Sequence, residues 1–478
     1  MIGAPWRADI DSGRDDTGCC LASTPKERTG IVNQPVGALQ PEITRRKKAG
    51  PEDFIPKEDY VSRDFARLEQ QRLWPRTWQM ACREEEIPRV GDYVTYDVLD
   101  ESIIVVRVAK DRIAAYHNAC QHRGRRLTEG CGHAARLSCR FHGWSWKLDG
   151  TIAHVVDRDN WDGSLKDEDI ALPAVRVDTW GGFVFICMDA GAEPLLDFLA
   201  PIPEVFRNYP FEKMRYRWYK RTGIACNWKT ALEAFNEGYH VQTTHTQLLP
   251  VHDDEALSFA EGRHGSYQLA PGRISLGARS PRLKGGKVDY RRNVRDFILM
   301  LEQDLKASIP PHMAELVGRL VDELPEDATL LDVLMKYGQI AFEAAQERSI
   351  PFPALTPEEI ARAGADWHLF PNMVFLPAPD AMLAYRARPD RDDPERCIFE
   401  VYSLVLYPEG EEPPLERQVF DDWRDHDAWG LILTQDFENM TEVQRGMRSM
   451  GFTGSRANPV QERSVSNFHR ALREFIGA

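Results

Sequence analysis

The stretch CQHRGRRLTEGCGHAARLSCRFHGW, residues 120–144, gathers cysteine and histidine in a chain that otherwise has few of either. It contains two pairs of the same kind: Cys120 with His122, and Cys139 with His142. Sixteen residues separate the two pairs, and a glycine follows each histidine within two residues. Each pair therefore offers one thiolate and one imidazole, both of them metal ligands, from a loop of its own.

The mixed composition of each pair indicates the kind of metal centre. A structural zinc site usually takes two cysteines from one hairpin and two histidines from a helix. Mixed pairs instead suit two inequivalent irons, one held by both cysteines and the other by both histidines, which is the Rieske [2Fe–2S] arrangement. The alternative is a zinc knuckle with two cysteines and two histidines. Cys131 and His133 fit neither pair and are predicted to be ordinary loop residues.

Composition limits the class of protein. The chain has 478 residues, 42% of them hydrophobic, which is enough for two domains with cores of their own. A net charge of −14 argues against nucleic acid as a partner. The chain lacks a long apolar run and an apolar N-terminal segment, so neither a membrane span nor a signal peptide is predicted. The nine cysteines are spread too thinly for a disulfide framework, which predicts a reducing, cytoplasmic location.

One part of this acidic chain is basic. Between His117 and Lys147 there are six basic residues and a single acidic one, Glu129, which gives a local net charge of +5. The six are Arg123, Arg125, Arg126, Arg136, Arg140 and Lys147. This basic surface surrounds the two Cys/His pairs. It is either a solvated loop or a docking surface for an acidic electron donor that is guided by electrostatic steering.

Changes in residue pattern along the chain predict its organisation. Residues 1–50 are polar and lack periodicity, which predicts a mobile N-terminal arm. Residues 51–76 carry a helical pattern and are expected to pack on the C-terminal domain. Strand patterns dominate residues 77–188. Residues 189–478 are mixed, with a helical insertion at about 290–365 that carries apolar stripes.

A second candidate site lies in NWKTALEAFNEGYHVQTTH, residues 227–245. The pattern predicts a helix from Trp228 to Tyr239. Glu237 and His240 are three residues apart and would share a helix face, whereas His245, five further on, would be rotated off it. Both histidines can reach one ion only if the helix widens or ends between them. By itself this spacing is weak evidence for a metal site, because histidines have many structural roles.

Both stretches resemble the ring-hydroxylating oxygenase family. Members share C-x-H-R-G and C-x-x-H-G-W, as in the first stretch, and N-W-K followed by E-x-F-x-(D/E)-x-Y-H-x₄-H, as in the second. The residues that match the second pattern are Asn227, Trp228, Lys229, Glu233, Phe235, Tyr239, His240 and His245. The resemblance covers residues 55–478 except the segment 290–365.

The resemblance implies a mononuclear iron site. Its ligands would be His240, His245 and Asp436, a 2-His-1-carboxylate triad that leaves positions open for O₂. Asp436 stands in QDFENMTEVQRG, residues 435–446, where members of the family carry the third ligand. The alternative is an aspartate in the first turn of a helix, stabilised by the helix dipole. The carboxylates that would then replace it are Glu438, Asp421 and Asp422.

Glu237 takes a different role by the same resemblance. In the family, a carboxylate three residues before the first histidine ligand hydrogen-bonds that histidine and a cluster histidine of the neighbouring subunit. It bridges the two centres for electrons and also orients the ligand. Most members have aspartate there, and glutamate is a variant seen in the branch that acts on quaternary ammonium compounds. Ala234 stands where asparagine is common. The differences at positions 237 and 234 make the assignment to a subfamily less certain than the assignment to the family.

The resemblance also implies a fold and cofactors. The class would be α+β, with an all-β Rieske [2Fe–2S] domain and a helix-grip (START/Bet v 1-like) catalytic domain built on an antiparallel sheet. The chain would be the large (alpha) subunit of a Rieske non-haem iron oxygenase. It would hold a [2Fe–2S] cluster and Fe(II), use O₂, and receive NAD(P)H-derived electrons through a ferredoxin and/or a separate reductase. The active unit would be a homotrimer (α3) or, with a β subunit, α3β3.

Three functions remain open at this point. The first is mono- or dioxygenation of an aromatic or bulky hydrophobic compound, supported by aromatic residues near the predicted site and by the insertion as a possible lid. These aromatic residues are Phe235, Trp367, Phe370 and Trp429. The second is hydroxylation or demethylation of a quaternary amine, which requires an aromatic cage. The third is a protein that is not an enzyme, either a Rieske electron carrier or a zinc-binding structural protein. A carrier explains neither the predicted triad nor the large domain after residue 188.

Overall fold

The computed structural model describes residues 49–269 and 273–477. These residues lie within one compact unit, Arg46–Ala478. The predicted N-terminal arm, residues 1–50, lies outside the described residues except for its last two positions. Within the described ranges, no helix is both long enough and apolar enough to span a lipid bilayer.

The strands belong to four sheets. In chain order they are β1 Phe54–Pro56, β2 Gln79–Arg83, β3 Asp92–Val98, β4 Glu101–Ala109, β5 Arg112–His117, β6 Cys131–His133, β7 Leu137–Ser138, β8 Ser145–Trp146, β9 Ile152–His154, β10 Ala174–Trp180, β11 Phe183–Cys187, β12 Arg215–Ile224, β13 Ala256–Glu261, β14 His264–Leu269, β15 Asp366–Leu369, β16 Met373–Pro377, β17 Ala381–Asp390, β18 Asp393–Val405, β19 Arg417–Phe420 and β20 Gly454–Arg456.

The α-helices of the described residues come before β2 or after β11 in the chain. In chain order they are α1 Glu58–Val61, α2 Arg63–Leu68, α3 Leu195–Phe198, α4 Ile202–Val205, α5 Trp228–Glu233, α6 Val241–Thr244, α7 Tyr290–Asp304, α8 Pro311–Leu316, α9 Arg319–Glu323, α10 Leu330–Glu347, α11 Pro357–Ala363, α12 His426–Trp429, α13 Leu431–Met447 and α14 Arg463–Ile476.

The first large sheet carries the two Cys/His loops. Its seven strands run in the order β2-β11-β10-β5-β4-β3-β6, all antiparallel, and a separate three-stranded sheet, β7-β8-β9, lies within the loop region. Side chains of β3 alternate between buried and half-buried positions, as its sequence pattern predicts. A small core under the loops contains Cys120, Cys139, Trp144 and Trp146. The all-β prediction for this part of the chain is confirmed.

The second large sheet carries the other candidate site. Its order is β13-β14-β15-β16-β17-β18-β12-β19, antiparallel except for the edge pair β12 and β19, which is parallel. The helices α5, α13 and α14 pack against it. Asn227 begins α5, because its side chain accepts a hydrogen bond from the amide of Lys229 at 3.0 Å. A long antiparallel sheet covered by helices agrees with the predicted α+β class.

The segment before the first sheet packs on the second sheet's helices. Ser62 begins α2 by accepting from the amide of Phe65 at 3.3 Å, and a π-helical turn, Glu69–Leu73, continues it. Glu69 is buried and forms an ion pair with Lys229 of α5 at 2.5 Å. The helical pattern within residues 51–76 is therefore confirmed, and this segment contacts the C-terminal region as expected.

The helices of the insertion have a core of their own. Buried apolar residues from α7, α8, α9, α10 and the links between them form a cluster separate from the main core: Val294, Ile298, Ile309, Met313, Val317, Leu320, Val333, Ile340 and Ala341. Thr356 begins α11 through a capping box, accepting from the amide of Glu359 at 3.2 Å while the Glu359 carboxylate accepts from the Thr356 amide at 2.9 Å. The apolar stripes of this segment thus pack mainly on one another.

A buried charge cluster joins the two large sheets. Glu400 of β18 is 1% exposed and pairs with Arg386 at 2.8 Å and Arg388 at 3.5 Å. Arg386 also donates to the backbone carbonyls of Met80 and Ala81 in the first sheet, at 2.7 and 2.8 Å. Burial opposes ionisation of Glu400, but the two guanidinium groups outweigh it and lower the pKa of its carboxyl.

Glu400→Gln is expected to lower the free energy of unfolding by about 3–5 kcal/mol, because it leaves two buried guanidinium groups without their anion. Denaturant titration would measure the change. The matched control is Glu474→Gln, which breaks an exposed pair with Arg470 on α14 and should cost less than about 1 kcal/mol. Equal losses in the two variants would contradict the assigned role of Glu400.

Candidate active site

The chain between α5 and α6 brings the second group of predicted residues together. The predicted helix from Trp228 to Tyr239 is wrong in its extent, because α5 ends at Glu233. Glu237 lies in an irregular turn, His240 precedes the short helix α6, and His245 follows it. Glu237 and His240 therefore do not share a helix face. The expected widening or end of the helix between the two histidines is wrong in position, because α5 ends before His240 and the short helix α6 lies between His240 and His245.

His240, His245 and Asp436 converge. One ligand atom from each lies within 4.8 Å of the other two. Nε2 of His245 is 3.0 Å from Oδ1 of Asp436, and Nε2 of His240 is 3.5 Å from the same oxygen. Asp436 and His245 are both 3% exposed. Two imidazole nitrogens and a carboxylate oxygen directed at one point form a donor set suited to Fe(II).

Each imidazole is held through its other nitrogen. Nδ1 of His240 is 2.6 Å from Oε1 of Glu237, and Nδ1 of His245 is 2.9 Å from Oε1 of Gln435. These contacts leave both Nε2 atoms directed toward Asp436. Burial lowers the pKa of His240, but Glu237 and Asp436 outweigh it and raise the pKa to about 9. The group therefore has an excess of negative charge that a metal cation would balance.

Gln435 is a site residue that sequence patterns did not identify. Its side-chain oxygen also accepts from Nε2 of Gln247 at 2.8 Å, so it is itself fixed in place. The feature of the sequence that could have identified Gln435 is its position directly before Asp436. The alternative carboxylates do not join the group, since Glu438, Asp421 and Asp422 have exposed side chains. Asp436 lies within α13. On the same helix, the side chain of Asn439 donates a hydrogen bond to Thr244 of α6 at 3.0 Å and so connects the two segments that carry the candidate ligands.

The two Cys/His loops have closely similar geometry. The carbonyl of Cys120 accepts from the amide of Gly124 at 2.8 Å, and that of Cys139 accepts from Gly143 at 3.1 Å. Gly124 and Gly143 have φ of 74° and 75°, a left-handed conformation that favours glycine. The two loops thus share the same backbone turn after their cysteine.

The residues of these loops fit a [2Fe–2S] cluster. The rings of His122 and His142 lie 4.6 Å apart, and among the described residues neither buried Nδ1 atom has a hydrogen-bond partner. Both cysteines are 3% exposed and free of disulfides. For Cys139 burial is outweighed by hydrogen bonds to nearby backbone amides, which lower the pKa of its thiol. Two buried sulfurs and two unpartnered ring nitrogens, one of each per loop, match a cluster with inequivalent irons.

Cys131 and His133 were predicted to be loop residues, and this is wrong in detail. They form β6, an edge strand paired with β3. Nδ1 of His133 is 2.9 Å from Oδ1 of Asp92, and the Cys131 sulfur is 3.0 Å from a guanidinium nitrogen of Arg417. Both residues therefore have structural partners and stand apart from the two pairs.

The aromatic residues predicted near the site take different positions. Phe235 stacks on Tyr385 with ring centroids 4.0 Å apart, close to the turn of Glu237. Trp429 packs on Phe437, the residue after Asp436, at 5.2 Å. The other two lie elsewhere in the core, since Trp367 packs on Phe206 and Phe370 on Phe468.

A cavity of ≈ 320 Å³ lies beside His240. Glu237, Asp436 and Glu462 line its polar side, and Ala234 stands where a larger side chain would reduce its volume. Through this space the side chain of His240 stays 24% exposed. The pair of His240 and Glu237 is thus reached from the protein surface.

The comparisons define the class as a two-part Rieske protein. Residues 77–169 match the Rieske [2Fe-2S] domain. Residues 210–308 and 323–478 match the ring hydroxylating alpha subunit (catalytic domain). This second match covers more than half of the chain, and the chain belongs to the family of ring-hydroxylating oxygenase alpha subunits. The match also includes most of segment 290–365, which we had expected to fall outside the resemblance.

Three relatives illustrate the range of the family. The glycine betaine monooxygenase oxygenase subunit of Pseudomonas aeruginosa is 29% identical over 196 residues, 41% of this chain. The anthranilate 1,2-dioxygenase large subunit of Acinetobacter baylyi is 31% identical over 199 residues, 40% of this chain. The crystal structure of a quaternary ammonium Rieske monooxygenase in complex with L-carnitine covers 90% of this chain and 99% of its own, with a TM-score of 0.60 at 19% identity.

The sequence matches are partial. The chain spans about half the length of the curated relatives that it matches, 45% of the glycine betaine subunit and 42% of the anthranilate subunit. The structural likeness extends over nearly the whole of the carnitine-bound chain, and at 19% identity it establishes the shared fold.

Proposed function

We propose that the chain is the terminal oxygenase component of a Rieske non-haem iron system, which uses O₂ and NAD(P)H-derived electrons to oxygenate a small organic molecule. The observation that supports this most directly is that one chain carries both the paired Cys/His loops and the group of His240, His245 and Asp436. An electron carrier needs only the first of these. The proposed domains are 77–188 for the cluster and 189–478 for catalysis.

The side chains of the second site have separate tasks in this proposal. His240, His245 and Asp436 bind the mononuclear iron, and Glu237 and Gln435 orient the two rings. When bound, the cluster supplies electrons and the Fe(II) activates O₂. The carboxylate of Glu237 accepts the Nδ1–H of His240, which fixes the tautomer that leaves Nε2 free for the metal.

Two substrate classes have support. An aromatic or bulky hydrophobic substrate is suggested by the stacked rings of Phe235, Tyr385 and Phe399 near the site, with centroid distances of 4.0–5.8 Å. A quaternary ammonium substrate is suggested by Glu237 in place of aspartate, and by relatives described as glycine betaine and carnitine monooxygenases. Aromatic rings serve either class, since they also attract methylated ammonium groups.

The proposed partners are other copies of the chain and an acidic ferredoxin or reductase. Phe141 and Val156 are exposed beside the cluster loops, and Tyr239 and Val443 are exposed beside His240, so both centres are bordered by apolar surface that a neighbouring subunit could cover. This favours a head-to-tail trimer. All six side chains of the basic surface are exposed, which favours docking of an acidic electron donor. The proposed location of this encounter is the cytoplasm.

The isolated protein is expected to contain three irons per chain, two in the cluster and one at the triad, and to be reddish-brown. With reconstituted electron donors it should incorporate ¹⁸O from ¹⁸O₂ into an organic product. Metal analysis, visible absorbance and mass spectrometry of the product would measure these. A colourless protein that contains zinc would contradict the proposal, and so would an iron-loaded protein that reduces O₂ without oxygenating any compound of either class.

A further inference from the structure

A buried carboxylate without an assigned role lies at the start of β15. Asp366 has no exposed surface, and among the described residues neither of its carboxylate oxygens has a hydrogen-bond partner. A buried carboxyl group without a partner costs free energy, so a fold that keeps one invites a functional explanation.

The strand register shows which way Asp366 points. Side chains alternate along a strand, so Asp366 shares a face with His368 and not with Trp367. His368 contacts Phe468 of α14, with ring centroids 4.7 Å apart, whereas Trp367 packs on Phe206 on the opposite face. Asp366 therefore points to the side of the sheet that the helices cover.

The same face carries the aromatic residues next to the iron site. Tyr385 is aligned with His368 across the intervening strand β16, so their side chains lie on one face. The ring of Tyr385 stacks on Phe235, which is two residues before Glu237 in the sequence. Asp366 consequently faces the region between the sheet and the turn that holds the metal-binding histidines.

A second ring lies directly beside Asp366. Tyr267 of β14 is its opposite residue in the antiparallel register, a position at which side chains touch. The ring of Tyr267 also reaches the turn, since a Cβ added to Gly238 would be 3.9 Å from Cε2 of Tyr267. Tyr267 is half-buried, and so is Leu376 on the next strand and the same face. Asp366 is thus bordered by the ring of Tyr267 and by Leu376, both of which keep accessible surface.

We propose that Asp366 is the counter-ion for the ammonium group of the substrate, with Tyr267 and the stacked rings of Phe235 and Tyr385 as the apolar wall around it. This rests on the proposed oxygenase function and chooses between its two substrate classes. A carboxylate in a low-dielectric site attracts a cation strongly, and aromatic faces attract methylated ammonium groups. A neutral aromatic compound would leave the carboxyl group unpaired.

The electrostatics of the empty site agree with this role. Burial raises the pKa of Asp366 well above its usual range, and the charge of Glu237 raises it further. This raised pKa favours the neutral form of the carboxyl, which reduces the cost of keeping it buried. A bound ammonium group favours the ionised form and so supplies the missing partner.

The test compares choline with its neutral carbon isostere, 3,3-dimethylbutan-1-ol, by calorimetric binding to the iron-loaded protein. Wild-type protein should bind choline at least about 30-fold more tightly than the isostere, and Asp366→Asn should remove that preference while leaving binding of the isostere unchanged. Asp392→Asn, at a carboxylate that is 92% exposed, is the matched control and should bind choline like wild type. Equal binding of the two probes by wild type, absent choline binding, or a preference that survives in Asp366→Asn would overturn the proposal.

A stability measurement separates recognition from a structural role. Because Asp366 has no hydrogen-bond partner among the described residues, Asp366→Asn should leave the melting temperature unchanged or raise it by about 2 °C. A variant that fails to fold, or melts several degrees lower, would make Asp366 a structural residue and overturn the proposal. Neither result depends on turnover, so a failure here leaves the iron content and the oxygenase function as separate questions.

Discussion

Asp436→Ala is expected to lose the mononuclear iron and reduce product formation to background, while the visible absorbance of the cluster stays at the wild-type level. Iron content should fall from three to two per chain. The reason is geometric, because Asp436 contributes the carboxylate oxygen on which both Nε2 atoms converge and shares no contact with the Cys/His loops. Metal analysis together with the absorbance spectrum would measure both parts of the prediction.

The matched control for Asp436→Ala lies on the same helix. Glu438 is exposed, two residues further along α13, and Glu438→Ala should keep all three irons and normal turnover. If Asp436→Ala instead kept its third iron, the ligand would have to be Glu438 or Glu237. The comparison therefore tests the assignment of one carboxylate against its nearest alternatives.

Two inactive variants are expected to restore activity when they are mixed in one oligomer. Cys120→Ala should abolish the cluster and His240→Ala the mononuclear iron, so neither chain can function alone. If Glu237 connects His240 to His142 of the neighbouring chain, a productive interface needs intact cluster ligands on one side and intact iron ligands on the other. In a randomly mixed head-to-tail ring each condition holds with probability one half, so about a quarter of wild-type activity per chain should return.

The mixing experiment has its own control. Size-exclusion chromatography of the co-expressed chains must show the same oligomer as wild type, and each variant purified alone must be inactive. Co-expression of Cys120→Ala with Cys139→Ala, which both lack the cluster, should restore nothing. No recovery in verified mixed oligomers would mean that the two centres cooperate within a single chain, and the proposed bridging role of Glu237 would be wrong.

Short-range patterns in the sequence identified both groups of metal-binding candidates. The two Cys/His pairs were found because their ligands lie within four residues of each other, and the structure gives the two loops the same local geometry. The spacing of His240 and His245 was weak evidence by itself and became a metal-site prediction through the family resemblance, although α5 ends earlier than predicted. Asp436 needed the family resemblance, because nothing local distinguishes it from Glu438.

Long-range features could not be obtained in the same way. Asp366 is an aspartate within a run of apolar and aromatic residues, and its surroundings depend on its pairing with Tyr267, 99 positions earlier in the chain. The buried cluster of Glu400 and Arg386 likewise depends on strand register and on contacts with the first sheet. Such pairings are set by the fold as a whole, so hydrophobic periodicity in a single segment does not reveal them.

The pairing of β1 with β20 has a consequence for biosynthesis. Phe54 is aligned with Arg456, 402 positions later, and α14 packs on the segment that follows β1. The first strand of the described fold therefore waits for its partner until β20 has been synthesised. Meanwhile residues 77–188 can already collapse around their own core as they leave the ribosome. We therefore expect the part with the Cys/His loops to fold first, while the part with His240, His245 and Asp436 closes only after α14 has been synthesised.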